Sequence, residues 1–275
     1  MEELRVKEQA LEHLIRPLGK VLVCFSGGAD SSLLLFLCLR VLGPGRVTAF
    51  TAITQASRNE EAAACRDFAK RLKIPLVTAD IDLLTMKPVA EGSPRRCYFC
   101  KKSMFELARR EAKILGIDTV VEGSNRDDRD DYRPGFEAVA EFGVRSPLLE
   151  AGLTKEDIRR LSRQLALPTW DQPAGACLLT RFPYGVLVTS ERLARVKGCE
   201  TLLRSLGFSD CRVRFHQEAA RIEVPEQELP RFADPELRRR IVEHFRKAGF
   251  LFVTLDLEGY RRGSLNTQLA WKAEP

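Results

Sequence analysis

Histidine is scarce in this chain: three in 275 residues, His13, His216 and His244, isolated from one another and outside every motif. No Ser-His-Asp arrangement can be built, so nucleophilic attack would have to come from sulfur or a substrate oxygen. Long apolar runs are missing too. The longest, Leu33 to Leu39, falls far short of the roughly 20 residues a membrane helix needs. The N-terminal stretch is charged and amphipathic, without the apolar core of a signal peptide, and the expectation is a soluble cytoplasmic protein with no membrane partner. Also absent are internal repeats, low-complexity tracts, a glutaminase nucleophile motif and an RNA-binding signature with interleaved aromatics.

Charge is nearly balanced. Lysine and arginine number 44 against 38 aspartates and glutamates, a formal +6, which suits an anionic small molecule as readily as nucleic acid. The run Arg238, Arg239 and Arg240 falls inside a predicted helix and reads as a solvated face. Eight cysteines in a large chain without a signal serve as buried apolar residues, ligands or reactive thiols more often than as disulfides.

Hydrophobic residues make up 44%, enough for a substantial core. β-type runs recur at Val21 to Phe25, Val47 to Ile53, Pro75 to Ile81 and Thr119 to Val121. Helical periodicity fills Ser31 to Leu42, Arg58 to Leu72 and Cys100 to Leu115. Strands alternating with helices predict an α/β fold with a parallel sheet. The stretch Gly123 to Gly135 is a polar loop too charged to bury. Further helices are predicted at Phe136 to Phe142 and from Thr154, whose Thr154-Lys155-Glu156-Asp157 resembles a capping signal. A boundary near residue 185 divides a domain at 1–185 from a small α+β domain at 186–275. The latter has helices at Ser190 to Leu206 and Asp234 to Ala248 and strands at Cys211 to Phe215, Ala220 to Val224 and Phe250 to Leu257. The tail from Gly259 is expected to be loosely held.

Between the first strand and the next helix stands Ser26-Gly27-Gly28-Ala29-Asp30-Ser31-Ser32. Two glycines let the backbone approach an anion, the new helix offers unpaired N–H groups and a positive dipole end, and three serine hydroxyls add donors. A carboxylate beside a polyphosphate would repel it unless it holds a cation or orients the turn, so Asp30 points to a metal–nucleotide complex such as Mg2+–ATP. The stretch resembles the PP-loop of the N-type ATP pyrophosphatases, whose SGGxDS signature matches from Ser26 to Ser31 without a gap. The Gly-Lys-Ser or Gly-Lys-Thr ending of the Walker loop is absent, which argues against γ-phosphoryl transfer.

Cys97 and Cys100 are spaced as ligands, just ahead of a predicted helix whose positive end, with Lys101 and Lys102, would favour their thiolates. A CxxC pair alone is shared by redox pairs, zinc half-sites and Fe–S ligands. Cys177 lies in a flexible loop; Cys24 and Cys38 sit in apolar runs as packing residues; Cys65, Cys199 and Cys211 carry no assignment.

Taken with the cradle, the Cys97-to-Lys101 stretch, Glu122 to Asp128, Asp131 to Gly135 and Gly175 to Gly185 resemble the ATP-dependent sulfur transferases that make the nickel-pincer cofactor of lactate racemase. The resemblance implies adenylation of a carboxylate of pyridinium-3,5-biscarboxylic acid mononucleotide, loss of pyrophosphate, and displacement of AMP by sulfur to leave a thiocarboxylate. Cys177 matches the sulfur-donor position. Members with that cysteine alone sacrifice its sulfur; members with three resemble this chain at Cys97, Cys100 and Cys177, which implies a [4Fe-4S] cluster able to carry an extra sulfide from an outside source.

In the roles so implied, Ser26, Gly27, Gly28, Asp30, Ser31 and Ser32 serve the pyrophosphate end of ATP. Asn125 and Asp128 orient the nucleotide or its magnesium, though ordinary turn chemistry explains them as well. The substrate is a phosphorylated, multiply anionic pyridinium carboxylate, for which Lys101, Arg181, Arg212, Arg214 and Glu200 are the matched positions. Without the resemblance, Arg212 and Arg214 read as an exposed strand face and Glu200 as a solvated helix residue. A homo-oligomer, in the family a hexamer built from trimers, is a further expectation. tRNA thiolation and amide formation from ammonia are rival reactions of the superfamily, and a non-catalytic nucleotide-binding regulator is a rival of another class.

Overall fold

The structure is a computed structural model, described at residues 2–57, 59–128, 134–172, 175, 177–261 and 263–268. Arg58, Asp131 to Arg133, Pro173, Ala174 and Ala176, all within stretches named above, lie outside the described residues. By its contacts the chain forms two units, Met1–Asp82 with Arg95–Gly175, and Leu83–Pro94 with Ala176–Pro275.

The first unit is built on four parallel strands, β1 (Val21–Cys24), β2 (Val47–Thr54), β3 (Leu76–Ile81) and β4 (Thr119–Val121), in the order β3-β2-β1-β4. Val21 stands opposite Val47 on one side and Thr119 on the other. Side chains alternate across a strand, and β1 feeds two cores accordingly. Val21, Val23 and Phe25 join Leu11, Ile15, Leu34, Phe68 and Ile158. Leu22 and Cys24 join Phe105, Ala108, Val120 and Val139. Helices therefore cover both faces, as a parallel sheet requires. They are α1 (Glu2–Ile15), α2 (Ala29–Leu42), α3 (Asn59–Leu72), α4 (Arg96–Ile114), α5 (Gly135–Glu141) and α6 (Lys155–Gln164). A reciprocal capping box between Thr154 and Asp157 opens α6, satisfying two otherwise orphaned donors.

One boundary differs in a way that matters. α4 starts at Arg96, not at Cys100, because nothing from Arg95 onward breaks a helix and the Tyr98 N–H already donates to the Arg95 carbonyl at 2.9 Å. Cys97 and Cys100 thus lie in the first turn and a half of α4.

The second unit carries a three-stranded sheet, β5 (Arg212–His216), β6 (Ala219–Glu223) and β7 (Phe252–Leu255), antiparallel between β5 and β6 and parallel between β6 and β7. α7 (Ser190–Ser205) and α8 (Pro235–Lys247) complete it. Arg238, Arg239 and Arg240 are exposed. Residues 83–94 belong here because the Gly185 N–H donates to the Gly92 carbonyl and the Val188 N–H to the Ala90 carbonyl, at 3.0 and 2.7 Å. The described part of the tail is held as far as Gln268: the Tyr184 N–H donates to Gln268 Oε1 and the Tyr184 hydroxyl to Asn266 Oδ1, both at 3.1 Å. Among the described residues no helix is long and apolar enough to cross a membrane.

Candidate functional site

In the first unit the cradle follows β1 at the carboxyl edge of the sheet, where open α/β sheets bind ligands. Gly27 has φ of +78°, and a Cβ there would stand 3.0 Å from Cys65 Sγ. Gly28 is the N-cap of α2, with no side chain closing the helix end, so the first N–H groups of a 14-residue helix are available to an anion. The serines divide their work. Ser31 Oγ accepts from the Ser26 N–H and donates to the Gly28 carbonyl, both at 3.2 Å, and meets Ser26 Oγ at 3.1 Å. Ser32 is fully buried, and its hydroxyl makes no hydrogen bond among the described residues.

The loop after β4 packs directly on this turn. A Cβ at Gly123 would lie 3.1 Å from the Ser31 nitrogen, so only a glycine lets the two backbones approach this closely. Asn125, fully buried, donates from Nδ2 to Asp30 Oδ2 at 3.2 Å. Its own N–H donates to Asp128 Oδ2 at 3.1 Å, and Lys155 Nζ stands 3.6 Å from Asp128 Oδ1. Asp30, distant in sequence from Asn125 and Asp128, therefore joins them in one constellation.

Beside it stands Glu122, which opens one of the matched stretches but was given no role from sequence; it follows the apolar strand Thr119-Val120-Val121. It is buried and accepts from Lys101 Nζ at 3.1 Å, the Ser124 N–H at 3.0 Å, Ser124 Oγ at 2.9 Å and Ser146 Oγ at 2.5 Å. Burial pushes this carboxyl up, but the Lys101 ammonium and the Ser146 and Ser124 hydrogen bonds outweigh it and hold it below its ordinary value. A carboxyl depressed on folding contributes stability above its unfolded pKa of about 4.3, and that contribution is lost as pH falls through the folded value. Glu122→Gln should therefore be the less stable protein at pH 7, with the gap to wild type closing below about pH 4.3. Urea unfolding between pH 7 and pH 3 measures this, and a gap independent of pH would contradict it.

The lysines after the CxxC pair are engaged elsewhere than on the thiols. Lys101 reaches Glu122 and lies over the Phe105 and Phe136 rings, while Lys102 donates to Glu141 Oε1 at 2.7 Å. Exposure sorts the eight cysteines. Cys97 and Cys177 are exposed and Cys100 is half-buried, whereas Cys24, Cys38, Cys65, Cys199 and Cys211 are buried. Burial pushes the thiols of Cys24, Cys38 and Cys199 up to about 12 and that of Cys211 to about 11. Such thiols are inert. The three that solvent reaches are those named as ligands from sequence, and their soft sulfurs suit iron. Cys97 and Cys100, three apart on α4, share a helix face. Among the described residues no group of three or more His, Cys, Asp or Glu side chains is gathered as a metal site.

In the second unit Cys177 precedes a short 3-10 turn, Leu178–Arg181. Arg181 and Glu200 are both fully buried and joined by Arg181 Nε to Oε1 at 2.7 Å and Nη2 to Oε2 at 3.2 Å. The Val213 N–H also donates to Oε1, at 3.1 Å. Burial pushes the Glu200 carboxyl up, but Arg181 overrides it and holds it low. Glu200 is thus no solvated residue, and Arg212 and Arg214 are no exposed face: they are 3% and 7% exposed. Arg214 donates to Glu223 Oε2 from Nε at 2.9 Å and Nη2 at 2.7 Å, to the Thr180 carbonyl at 2.7 Å and to Ser264 Oγ at 3.0 Å. Arg212 pairs with Asp210 and stacks 4.7 Å over the Tyr260 ring. Glu223, the other unforeseen member, ends β6 as Glu122 follows β4. Burial lowers the Arg181 pKa, Glu200 opposes this, and Arg212 and Arg214 lower it further; each of the three guanidinium groups is paired with a carboxylate, Glu200, Asp210 or Glu223.

The NAD synthase family profile matches residues 6–96, which include the cradle. An uncharacterized protein of Synechocystis is 39% identical over 97% of this chain and 99% of its own length. Pyridinium-3,5-bisthiocarboxylic acid mononucleotide synthase of Lactiplantibacillus plantarum is 37% identical over 98% of this chain and 97% of its own. An uncharacterized protein of Methanocaldococcus jannaschii is 30% identical over 88% and 91%.

Proposed function

Because the chain belongs to the family of ATP-dependent sulfur transferases that includes pyridinium-3,5-bisthiocarboxylic acid mononucleotide synthase, we propose that it makes a thiocarboxylate from a carboxylate of pyridinium-3,5-biscarboxylic acid mononucleotide. The observation that carries this reading is the combination of a glycine cradle braced by Asn125 on Asp30 with three solvent-reached cysteines among five buried ones.

A substrate carboxylate oxygen attacks the α-phosphorus of ATP, the bond to the bridging oxygen breaks, and pyrophosphate leaves with that electron pair. Ser26 to Ser32 and the N-terminus of α2 receive the pyrophosphate. Asp30, with Asp128 behind it, would supply the protein carboxylate for a Mg2+ ion, which would neutralise charge on the polyphosphate. Lys101, Arg212 and Arg214 provide the positive field for the phosphorylated substrate. Sulfur then attacks the acyl carbon, and the carbon–oxygen bond to AMP breaks. A [4Fe-4S] cluster held by Cys97, Cys100 and Cys177 would keep one iron without a protein ligand, on which an extra sulfide from an outside source could be carried to the acyl carbon.

The test is anaerobic purification and reconstitution, with iron and sulfide counted for wild type and for Cys97→Ala, Cys100→Ala and Cys177→Ala. Loss of about one cluster in every variant, with substrate-dependent pyrophosphate release retained, is the expected result. Wild type that binds no iron and instead loses the mass of hydrogen sulfide at Cys177 would replace the cluster route with the sacrificial one. Thiolation of tRNA without turnover of the mononucleotide would overturn the substrate.

A further inference from the structure

Three donors converge on one backbone oxygen. The Cys177 carbonyl accepts from the Thr180 N–H at 3.0 Å, Thr180 Oγ1 at 2.8 Å and Arg181 Nη1 at 3.3 Å, and Arg181 Nη1 also donates to Thr180 Oγ1 at 2.9 Å. The other side of the same guanidinium is locked to Glu200 through Nε and Nη2. Arg181 has no exposed surface, while Cys177 is exposed. The turn is held from a further direction by Arg214, which donates to the Thr180 carbonyl at 2.7 Å.

A guanidinium that binds a phosphate must present its fork to the ligand. Arg181 turns one edge of its fork to a buried carboxylate and part of the other to the backbone of the cysteine. A carbonyl oxygen has two lone pairs, and loading it with three donors fixes the peptide plane that follows Cys177. That plane contains the Cys177 Cα, so the backbone atom from which the exposed thiol projects is anchored from below. We propose that Arg181 is a positioning residue for the Cys177 sulfur, acting through the Cys177 carbonyl, and is not a direct ligand of the substrate phosphate. The inference rests on the role proposed for Cys177 above.

Positioning and phosphate binding leave different kinetic marks. Misplacing a reacting atom slows the step it takes part in. Adenylation would proceed in a positioning variant, but the acyl-adenylate would wait for sulfur and be hydrolysed to AMP and the starting carboxylate. Pyrophosphate released per thiocarboxylate formed therefore rises. In anaerobic turnover with the mononucleotide, Arg181→Lys should raise this ratio about tenfold and Thr180→Val about threefold. The KM for the mononucleotide should stay within about twofold in both, since neither removes a ground-state contact. A general loss of folded protein lowers both products together and leaves the ratio alone.

A tenfold rise in KM at an unchanged ratio in Arg181→Lys would make Arg181 a phosphate ligand and overturn the inference. Should Arg181→Lys fail to fold, Thr180→Val decides, because it takes the hydroxyl from the Cys177 carbonyl and from Arg181 Nη1 but leaves the Arg181–Glu200 pair in place; an unchanged ratio there overturns it. Cys177→Ala separates the two levels. If it still makes thiocarboxylate, the role of Cys177 falls and the inference with it. If it makes none while the Arg181 and Thr180 variants keep the wild-type ratio, only the inference falls.

Discussion

Gly27→Ala should lower substrate-dependent pyrophosphate release about 100-fold, the scale of loss that goes with a displacement of about 1 Å in a reacting group. Two features combine at this position. A φ of +78° strains any residue with a Cβ, and the added methyl would press on Cys65 Sγ at 3.0 Å, so the loop must shift. Strain of this kind costs about 1–3 kcal/mol, too little to unfold a domain of ordinary stability. The loss should therefore be of activity in a folded protein. Gly28→Ala is the control for backbone strain: its φ and ψ of −76° and 167° suit any residue, and its Cβ would meet only Ser26 Oγ, at 3.6 Å. Circular dichroism melts and pyrophosphate assays on both variants check the contrast. A Gly27→Ala enzyme within about threefold of wild type would remove the cradle from the reaction.

The second large effect is on stability. Removing one member of a buried ion pair leaves an uncompensated charge and costs about 3–5 kcal/mol, a large share of the roughly 5–15 kcal/mol that holds a typical protein folded. Glu200→Ala should cost this much, because it strands the Arg181 guanidinium and also the Val213 N–H. Replacing both partners, Arg181→Met with Glu200→Leu, should recover most of the loss. Arg204 also pairs with Glu200, at 3.3 Å, but from a side chain 31% exposed; Arg204→Ala should cost no more than about 1 kcal/mol. Urea midpoints at constant slope separate these cases. A cost below about 1 kcal/mol for Glu200→Ala would contradict the pairing.

These charged residues also mark where a sequence stops being legible. Strands β1 to β4, the helices between them and the glycine cradle were readable because their signals are local: β-branched runs, helical periodicity and a turn that only glycine allows. The thiols of Cys97, Cys100 and Cys177 were picked out by spacing and resemblance, and their exposure agrees. By contrast Glu200, Arg212 and Arg214, matched to the substrate site by resemblance, read as solvated on the residues alone because a lone charge normally is. What buries them is a partner elsewhere: Arg181 for Glu200, Glu223 for Arg214. No periodicity announces such pairing. Likewise Lys101 and Lys102 were read with the neighbouring thiols, yet their ammonium groups go to Glu122 and Glu141, some twenty and forty residues away. The start of α4 was misjudged for a simpler reason: a CxxC pair suggests a loop, but no residue in it opposes a helix.

The clasp at Tyr184 bears on the timing of assembly during synthesis. Asn266 and Gln268 hold the loop that follows the Cys177 turn, and Ser264 accepts from Arg214. Residues 83–94, which belong with that unit, leave the ribosome more than eighty positions before Ala176 does. Domains fold as they emerge, so the first unit can close around its sheet while residues 83–94 still wait for their partners. The support beneath the reactive cysteine is complete only after translation has passed residue 268. On the function proposed above, a nascent chain would thus bind nucleotide well before Cys177 could hand over sulfur.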